Sequence, residues 1–117
     1  QPDIADYIRR TSIPFGVSSI AQAAVIASLK AESELFDRVK LIVEERERVV
    51  GALREQGWKI PDQHANFYWL PTNQVDAIKA ACEAAGVAVR PFPEGLRITI
   101  GETEANNRIL EVLKTFI

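Results

Sequence analysis

The segment from Gly86 to Gly101 constrains the fold more than any other part of the chain, because it has the pattern of a β-hairpin. Turn-forming residues between Phe92 and Gly95 separate two stretches in which side chains alternate in polarity. Symmetric pairing about this turn places Arg90 opposite Arg97. Since successive side chains in a strand point to opposite faces of the sheet, both arginines are expected on one face. The apolar residues expected on the other face are Val87, Val89, Ile98 and Ile100.

The two arginines form a candidate anion site. Like charges directly opposite each other destabilise a sheet, so Arg90 and Arg97 favour a negatively charged ligand between them. A planar guanidinium binds a carboxylate or a phosphate through two hydrogen bonds. The alternative is that each arginine pairs with one of the 16 acidic residues on a solvated surface, at little gain in free energy. The pattern alone leaves both interpretations open.

Composition and charge exclude several classes of partner. Hydrophobic residues make up 47% of the chain, charged residues 26%, and the formal net charge is -2, so we expect one globular domain without a nucleic-acid partner. The longest weakly polar run, Ile20–Leu29, is too short to span a bilayer, so no membrane partner is expected. Cys82 and His64 are the only residues of their types and cannot form a metal site alone. A single cysteine fits a reducing compartment, and we expect a cytoplasmic location.

The remaining pattern predicts helices packed on a small sheet. Ser18 and Ser19 can cap a helix that runs to about Ala31 and is apolar nearly all round, so we expect it to be buried on several sides. Periodicity from Glu34 to about Gln56 predicts an amphipathic helix that Gly57 ends, with its charged face in solvent. That solvated face comprises Glu44, Glu45, Arg46, Glu47, Arg48, Arg54 and Glu55.

Further elements complete an α+β fold, with helices packed on a small, mostly antiparallel sheet in the order α-α-β-β-α-β-β-α. They are a short strand at Trp58–Ile60, a central covered strand at Asn66–Leu70, a helix capped by Thr72 or Asn73 and closed by Gly86, the hairpin, and a last helix that begins at Glu102 or Thr103.

Five motifs occur along the chain in a fixed order. They are Pro14–Ala24, Glu45–Arg48, Ala65–Phe67, Gly86–Phe92 and Gly95–Glu102. Together they resemble the carboxyl-terminal third of histidinol-phosphate aminotransferase-like proteins, a branch of the fold-type I aminotransferases that depend on pyridoxal 5'-phosphate. The Pro-Phe-Gly-Val-Ser and Arg-Pro-Phe variants are more similar to the aromatic (phenylalanine) aminotransferases of actinobacteria. The resemblance runs from about Ile4 to the end of the chain.

The resemblance implies a role for four residues in substrate binding. Arg97 matches the arginine that grips the substrate carboxylate, or helps to bind phosphate in histidinol-phosphate enzymes. Arg90 matches a second arginine that reaches an anionic group of the substrate. Phe92 is placed to touch an aromatic side chain, with packing over the turn as the alternative. Asn66 completes the set, but satisfying backbone groups at the strand start is the favoured interpretation of this residue. Residues 34–117 would form the small domain, and residues 1–33 would be connecting helices normally packed on a large domain.

The resemblance also implies pyridoxal 5'-phosphate in the intact enzyme, with an amino acid and a 2-oxo acid as substrates. None of the lysines Lys30, Lys40, Lys59, Lys79 and Lys114 matches the Schiff-base motif. We therefore expect no catalytic residue in this chain, no covalently bound cofactor and no transamination by the chain alone. The absence of methionine hints at a piece of a longer protein.

Such a piece lacks the large domain that would normally cover the apolar helix Ile20–Leu29, and the uncovered helix predicts a homodimer or a helix-swapped oligomer. The alternatives are a fragment of a histidinol-phosphate transaminase, a stand-alone regulatory α+β module that binds amino acids, and a structural interaction domain.

Overall fold

The computed structural model describes residues 2–117, which contain five α-helices and one three-stranded antiparallel sheet. The α+β class predicted from the sequence is therefore confirmed. The elements are α1 (Pro2–Thr11), α2 (Ser19–Lys30), α3 (Glu32–Gln56), β1 (Phe67–Pro71), α4 (Val75–Ala84), β2 (Arg90–Phe92), β3 (Gly95–Thr99) and α5 (Thr103–Leu113), followed by a 3-10 turn, Lys114–Phe116. None of the helices in this described range combines the length and the hydrophobicity needed to cross a membrane.

The chain divides into two compact units, and the division falls within α3, between Phe36 and Asp37. The first unit carries α1 and α2. Helix α2 begins as the sequence predicts, because the Ser18 hydroxyl accepts a hydrogen bond of 3.1 Å from the Ala21 backbone N–H. The expected burial of α2 is not found, since none of its residues is buried.

The second unit, Asp37–Ile117, holds the sheet in the order β1-β3-β2. One face of the sheet carries Tyr68, Leu70, Leu96 and Ile98, which are 0–1% exposed. Apolar side chains of three helices complete the core in the way their spacing predicts. These are Val49, Val50 and Leu53 of α3, Ile78 and Cys82 of α4, and Ile109, Leu110 and Leu113 of α5.

Two helices of this unit end at a glycine in the left-handed region. Gly57 has a φ of 108°, its N–H donates to Arg54 O, and the Trp58 N–H donates to Leu53 O. Gly86, with a φ of 74°, ends α4 in the same way. Its N–H donates to Glu83 O, and the Val87 N–H donates to Cys82 O. Both positions match the glycine predicted to follow the helix.

The predicted strand at Trp58–Ile60 is wrong, and the helix α1 precedes the two leading helices of the predicted order. The observed order of elements is therefore α-α-α-β-α-β-β-α. The Trp58 N–H is used at the end of α3. The Ile60 carbonyl accepts from Nε and a terminal nitrogen of Arg54, at 3.1 and 2.9 Å. These groups are therefore not free to form a strand ladder.

Two further expectations are corrected. β1 is an edge strand rather than a central one, because β3 lies between β1 and β2. The Trp69 N–H of this edge strand donates to the side chain of Gln63, at Oε1, with a distance of 3.1 Å. Helix α4 is not capped by Thr72 or Asn73. Its N-cap is Gln74, whose own N–H donates to the Thr72 hydroxyl at 3.1 Å.

Candidate functional site

The hairpin has the predicted register, with Arg90 directly opposite Arg97. On the other side of β3, Trp69 lies directly opposite Arg97. Side chains at paired positions emerge on the same face of a sheet, so all three project from the face that is not packed on the core. We call this surface the arginine face, and it consists of Phe67, Trp69, Arg90, Phe92 and Arg97.

Each arginine of this face lies over an aromatic ring. The guanidinium carbon of Arg97 is 5.0 Å from the ring centroid of Phe67, and that of Arg90 is 5.4 Å from the centroid of Phe92. Cations at this distance are attracted by the negative face of the ring. These contacts stabilise each guanidinium group on the surface of the sheet.

Arg97 also carries an unsatisfied donor. Its Nε is buried and has no hydrogen-bond partner among residues 2–117. No acidic side chain of this range forms an ion pair with Arg90 or Arg97, although eight other ion pairs are present. A buried donor without a partner costs about 1–3 kcal/mol, which an incoming anion would recover. The surface ion pairs considered as an alternative are therefore not found in the described residues.

A glycine allows the aromatic rings to approach β3 closely. A Cβ atom at Gly95 would lie 2.4 Å from Leu70 O and 2.8 Å from Cζ2 of Trp69. The indole ring of Trp69 therefore extends over Gly95 and meets the ring of Phe92 edge-on, with centroids 5.7 Å apart and planes at 64°. Only a residue without a side chain fits beneath this pair.

Of the two other predicted site residues, Phe92 belongs to the arginine face and Asn66 borders it. Phe92 is 37% exposed, with the Arg90 guanidinium over its ring. Asn66 precedes β1, and its carbonyl accepts a hydrogen bond of 2.9 Å from the Ile100 N–H. Its side chain is exposed. The structure thus brings Arg90, Phe92 and Arg97 together, whereas for Asn66 it shows a backbone role.

Sequence reasoning missed a polar network that joins α3 to α5. Asn106 is 1% exposed, and its Nδ2 donates to Glu45 Oε1 and to Gly101 O, both at 2.9 Å. The hydrogen bond from Arg48 is the main reason that the pKa of Glu45 falls from 4.5 to about 2, and Asn106 lowers it further. The contacts with α5 lie far along the chain, so the helical period of α3 could not reveal them. A cavity of about 580 Å³ beside this network includes neither arginine of the arginine face.

The predicted solvent exposure of Arg46 is also wrong. It is 7% exposed, and one of its guanidinium nitrogens donates to Ala65 O at 3.0 Å. This bond ties α3 to the segment that leads into β1. Arg46 thus contributes to the position of the strand that carries Phe67 and Trp69.

The described residues form neither a complete cofactor site nor a complete metal site. Lys30, Lys40, Lys59 and Lys114 are exposed, and the half-exposed Lys79 is paired with Glu83 at 2.9 Å. No lysine therefore occupies an enclosed pocket of the kind in which an amine forms an imine with pyridoxal phosphate. His64 is exposed, as expected, and burial raises the pKa of the Cys82 thiol. Among residues 2–117 no cluster of histidine, cysteine and acidic side chains could hold a metal ion.

Comparison with known proteins identifies the family. Residues 1–113 match the family model for aminotransferases of class I and II. The chain therefore belongs to this family, as the five sequence motifs predicted.

Curated relatives from actinobacteria agree with that assignment. The chain is 53% identical over 115 residues to an aromatic amino acid aminotransferase of Streptomyces avermitilis, and 54% identical over 115 residues to one of Streptomyces coelicolor. An aromatic amino acid aminotransferase of Thermobifida fusca is 48% identical over 118 residues. These alignments cover 97–98% of this chain but only 32–33% of each relative. The chain thus spans about a third of the length of the relatives that it matches.

Solved structures show the same fold. A protein from Burkholderia pseudomallei assigned as an aminotransferase matches 99% of this chain with a TM-score of 0.77 and 21% identity, over 38% of its own length. The histidinol-phosphate aminotransferase from Clostridium acetobutylicum matches 97% of this chain with a TM-score of 0.71 and 21% identity, over 37% of its own length.

Proposed function

We propose that this chain is the small domain of an aromatic amino acid aminotransferase, together with the helices that connect it to a large domain. In this role the arginine face binds the carboxylate shared by the amino acid and the 2-oxo acid. The observation that carries the proposal is the buried Nε of Arg97, which has no partner among residues 2–117. The names of the actinobacterial relatives support an aromatic amino acid as substrate.

Arg97 is suited to orient a substrate as well as to attract it. Two parallel hydrogen bonds from one guanidinium fix the plane of a carboxylate, which a point charge does not. The contact with Phe67 holds the guanidinium in place before the substrate arrives. Fixing the carboxylate in this way orients the bonds at the neighbouring carbon and lowers the entropic part of the barrier.

Arg90 and Phe92 extend the same site. Arg90 adds a second cation opposite Arg97, and its position over Phe92 keeps it on the rim of the arginine face. In this proposal Arg90 strengthens the attraction for anionic substrates, Phe92 contacts the substrate side chain, and Asn66 borders the site.

The chemistry of amino-group transfer requires groups that this chain does not provide. Pyridoxal phosphate supplies an electron sink for the substrate, and its imine needs an enclosed amine. Because the five lysines of the chain do not fit that requirement, the cofactor would be held by sequence outside this chain. We propose that the chain alone does not transaminate and that the assembled enzyme is a homodimer.

The complete open reading frame that contains this sequence tests the proposal. We expect further coding sequence upstream of Gln1 with a lysine in a Schiff-base motif. The purified product should convert phenylalanine and 2-oxoglutarate to phenylpyruvate and glutamate, whereas the 117-residue chain should not. A frame without upstream sequence, or a full-length product inactive with phenylalanine, would overturn the proposal.

A second candidate is a stand-alone module that binds amino acids without chemistry. The observation that favours it is that both arginines and their aromatic partners lie within this one chain. Calorimetry of the 117-residue chain with phenylalanine, phenylpyruvate and inorganic phosphate separates the two functions. Saturable binding of phenylalanine by this chain would favour the module, and its absence would favour the aminotransferase.

For a fragment of a histidinol-phosphate transaminase, the full-length product would prefer histidinol phosphate to phenylalanine as amino donor.

A further inference from the structure

We propose that Trp69 is a specificity-determining residue, whose indole ring receives the aromatic side chain of the substrate. The inference rests on the function proposed above, because it takes the substrate carboxylate to be held by Arg97. It assigns a role to a residue that the sequence pattern indicated only as part of a strand.

The register brings Trp69 close enough for this role. Trp69 and Arg97 are directly opposite each other in the β1–β3 pairing, so their backbones are separated by one strand spacing, about 4.8 Å, and their side chains emerge on the same face. The side chain of an amino acid branches from the carbon next to its carboxylate. A substrate held at Arg97 therefore places its side chain over a residue on an adjacent strand. On β1 that residue is Trp69. On β2 it is Arg90, which offers no apolar surface of comparable size.

The rings of the arginine face are not equally available. Arg97 lies over Phe67, and Arg90 lies over Phe92. Among residues 2–117 no cation is found over the ring of Trp69, which makes a T-shaped contact with Phe92 and is only partly buried. The indole thus offers the aromatic surface of this face that a protein cation has not already covered.

The indole is also fixed before a ligand arrives. Gly95 lies beneath it, and the edge contact with Phe92 restricts it from the side. A ring already held in place loses little conformational freedom when a second ring packs on it. Offset or edge-to-face packing on such a ring favours an aromatic side chain over an aliphatic one of similar size.

The test compares phenylalanine with leucine as amino donors for the full-length enzyme, with 2-oxoglutarate as acceptor. For Trp69→Leu we expect kcat/KM for phenylalanine to fall at least tenfold, while the value for leucine changes less than threefold. Trp69→Phe, which keeps an aromatic ring, should restore the phenylalanine value to within threefold of the parent enzyme. Trp69→Met, which keeps bulk without a ring, should behave like Trp69→Leu and serves if the leucine variant does not fold.

Two controls separate the possible failures. Trp58→Leu removes the other tryptophan, which packs against the core and not on the arginine face, so the phenylalanine-to-leucine ratio should stay constant. Arg97→Lys should lower kcat/KM for both amino acids alike. If Arg97→Lys has that effect but the Trp69 variants leave the ratio unchanged, this inference is wrong and the proposed function stands. If Arg97→Lys changes neither amino acid, the proposed carboxylate site itself is wrong.

Discussion

Arg90 and Arg97 face each other across the β2–β3 pairing, and no acidic residue of the described range pairs with either. Two like charges at paired positions destabilise a sheet. In the same unit, Arg48 pairs with Glu45 and Arg54 with Asp62. What distinguishes this pair is the paired positions of the two charges and the buried Nε of Arg97, and a bound anion would relieve the repulsion and satisfy that donor.

Replacement of Arg97 by lysine should impair the full-length enzyme severely. Lysine keeps the charge but loses the planar pair of donors and the stacking on Phe67. We expect kcat/KM for phenylalanine to fall at least tenfold, which corresponds to about 1.4 kcal/mol of transition-state stabilisation. Steady-state kinetics measure this loss. Arg108→Lys, at an exposed position of α5, is the matched control and should be neutral. Equal kinetics for the Arg97 variant and the parent would contradict the role of Arg97.

The hairpin could be predicted because its information is local. The turn residues and the alternation of two are adjacent in sequence, and they sufficed to place Arg90 opposite Arg97. The length of β2 was less predictable. The paired strand contains only Arg90–Phe92, while Val87 and Val89, before it, still pack against the core.

Other features depend on contacts between distant segments and could not be read from periodicity. The position of Trp69 on the arginine face follows from the pairing of β1 with β3. The burial of Arg46 follows from the carbonyl of Ala65, 19 residues further along the chain. In both cases the local pattern described the element correctly but not what it would meet in the folded protein.

Gly95 should be intolerant of even a single methyl group. In Gly95→Ala the new Cβ would clash with Leu70 O and the Trp69 ring, and one of these contacts is with backbone. We expect the free energy of unfolding to fall by about 1–3 kcal/mol, as is usual for overpacked sites. Urea denaturation measures the change.

Gly51→Ala provides a matched control within α3. Apart from the adjacent residues and the nearby backbone of α3, no atom lies within 4 Å of a Cβ built at Gly51, and alanine favours helix over glycine. This variant should gain about 0.5–1 kcal/mol. A loss of stability in Gly51→Ala as large as that in Gly95→Ala would show that the clash is not the cause.

Stability should fall in acid because of Glu45. Its pKa lies near 2 in the folded protein and at 4.5 ordinarily, mainly because of the hydrogen bond from Arg48. A carboxylate with a lowered pKa stabilises the fold fully above its ordinary pKa, and that contribution is lost as the pH falls from 4.5 towards 2. Hydrogen bonds to a charged group contribute about 1.5–3 kcal/mol.

The variant Glu45→Gln should accordingly be less stable than the parent at pH 6, and the difference should shrink by pH 2.5. Urea denaturation at a series of pH values gives the two curves. Glu44→Gln is the control, because Glu44 is exposed and 3.9 Å from Lys40, and its curve should follow that of the parent. A constant difference between Glu45→Gln and the parent across this range would refute the linkage.

The isolated 117-residue chain should self-associate through α2. This helix exposes four large apolar side chains on the first unit, with Ile20 81% and Leu29 71% exposed. The others are Val25 and Ile26. Apolar surface of this kind is unfavourable in water. Burying it against a second copy lowers the free energy by about 25 cal/mol per Å² of apolar surface.

Light scattering over a range of chain concentrations measures this association, which should appear as a rise in molar mass from that of one chain to that of two or more. The double variant Val25→Glu and Leu29→Glu should shift the transition to higher concentration, because it places charges in the surface that becomes buried. The control, Gln22→Glu and Ser28→Glu, adds the same charge at polar positions of the same helix, so that net repulsion between chains is matched. If both double variants weaken association equally, general charge repulsion and not the apolar surface of α2 controls it. A parent chain that stays monomeric at all concentrations would show that this surface does not drive association.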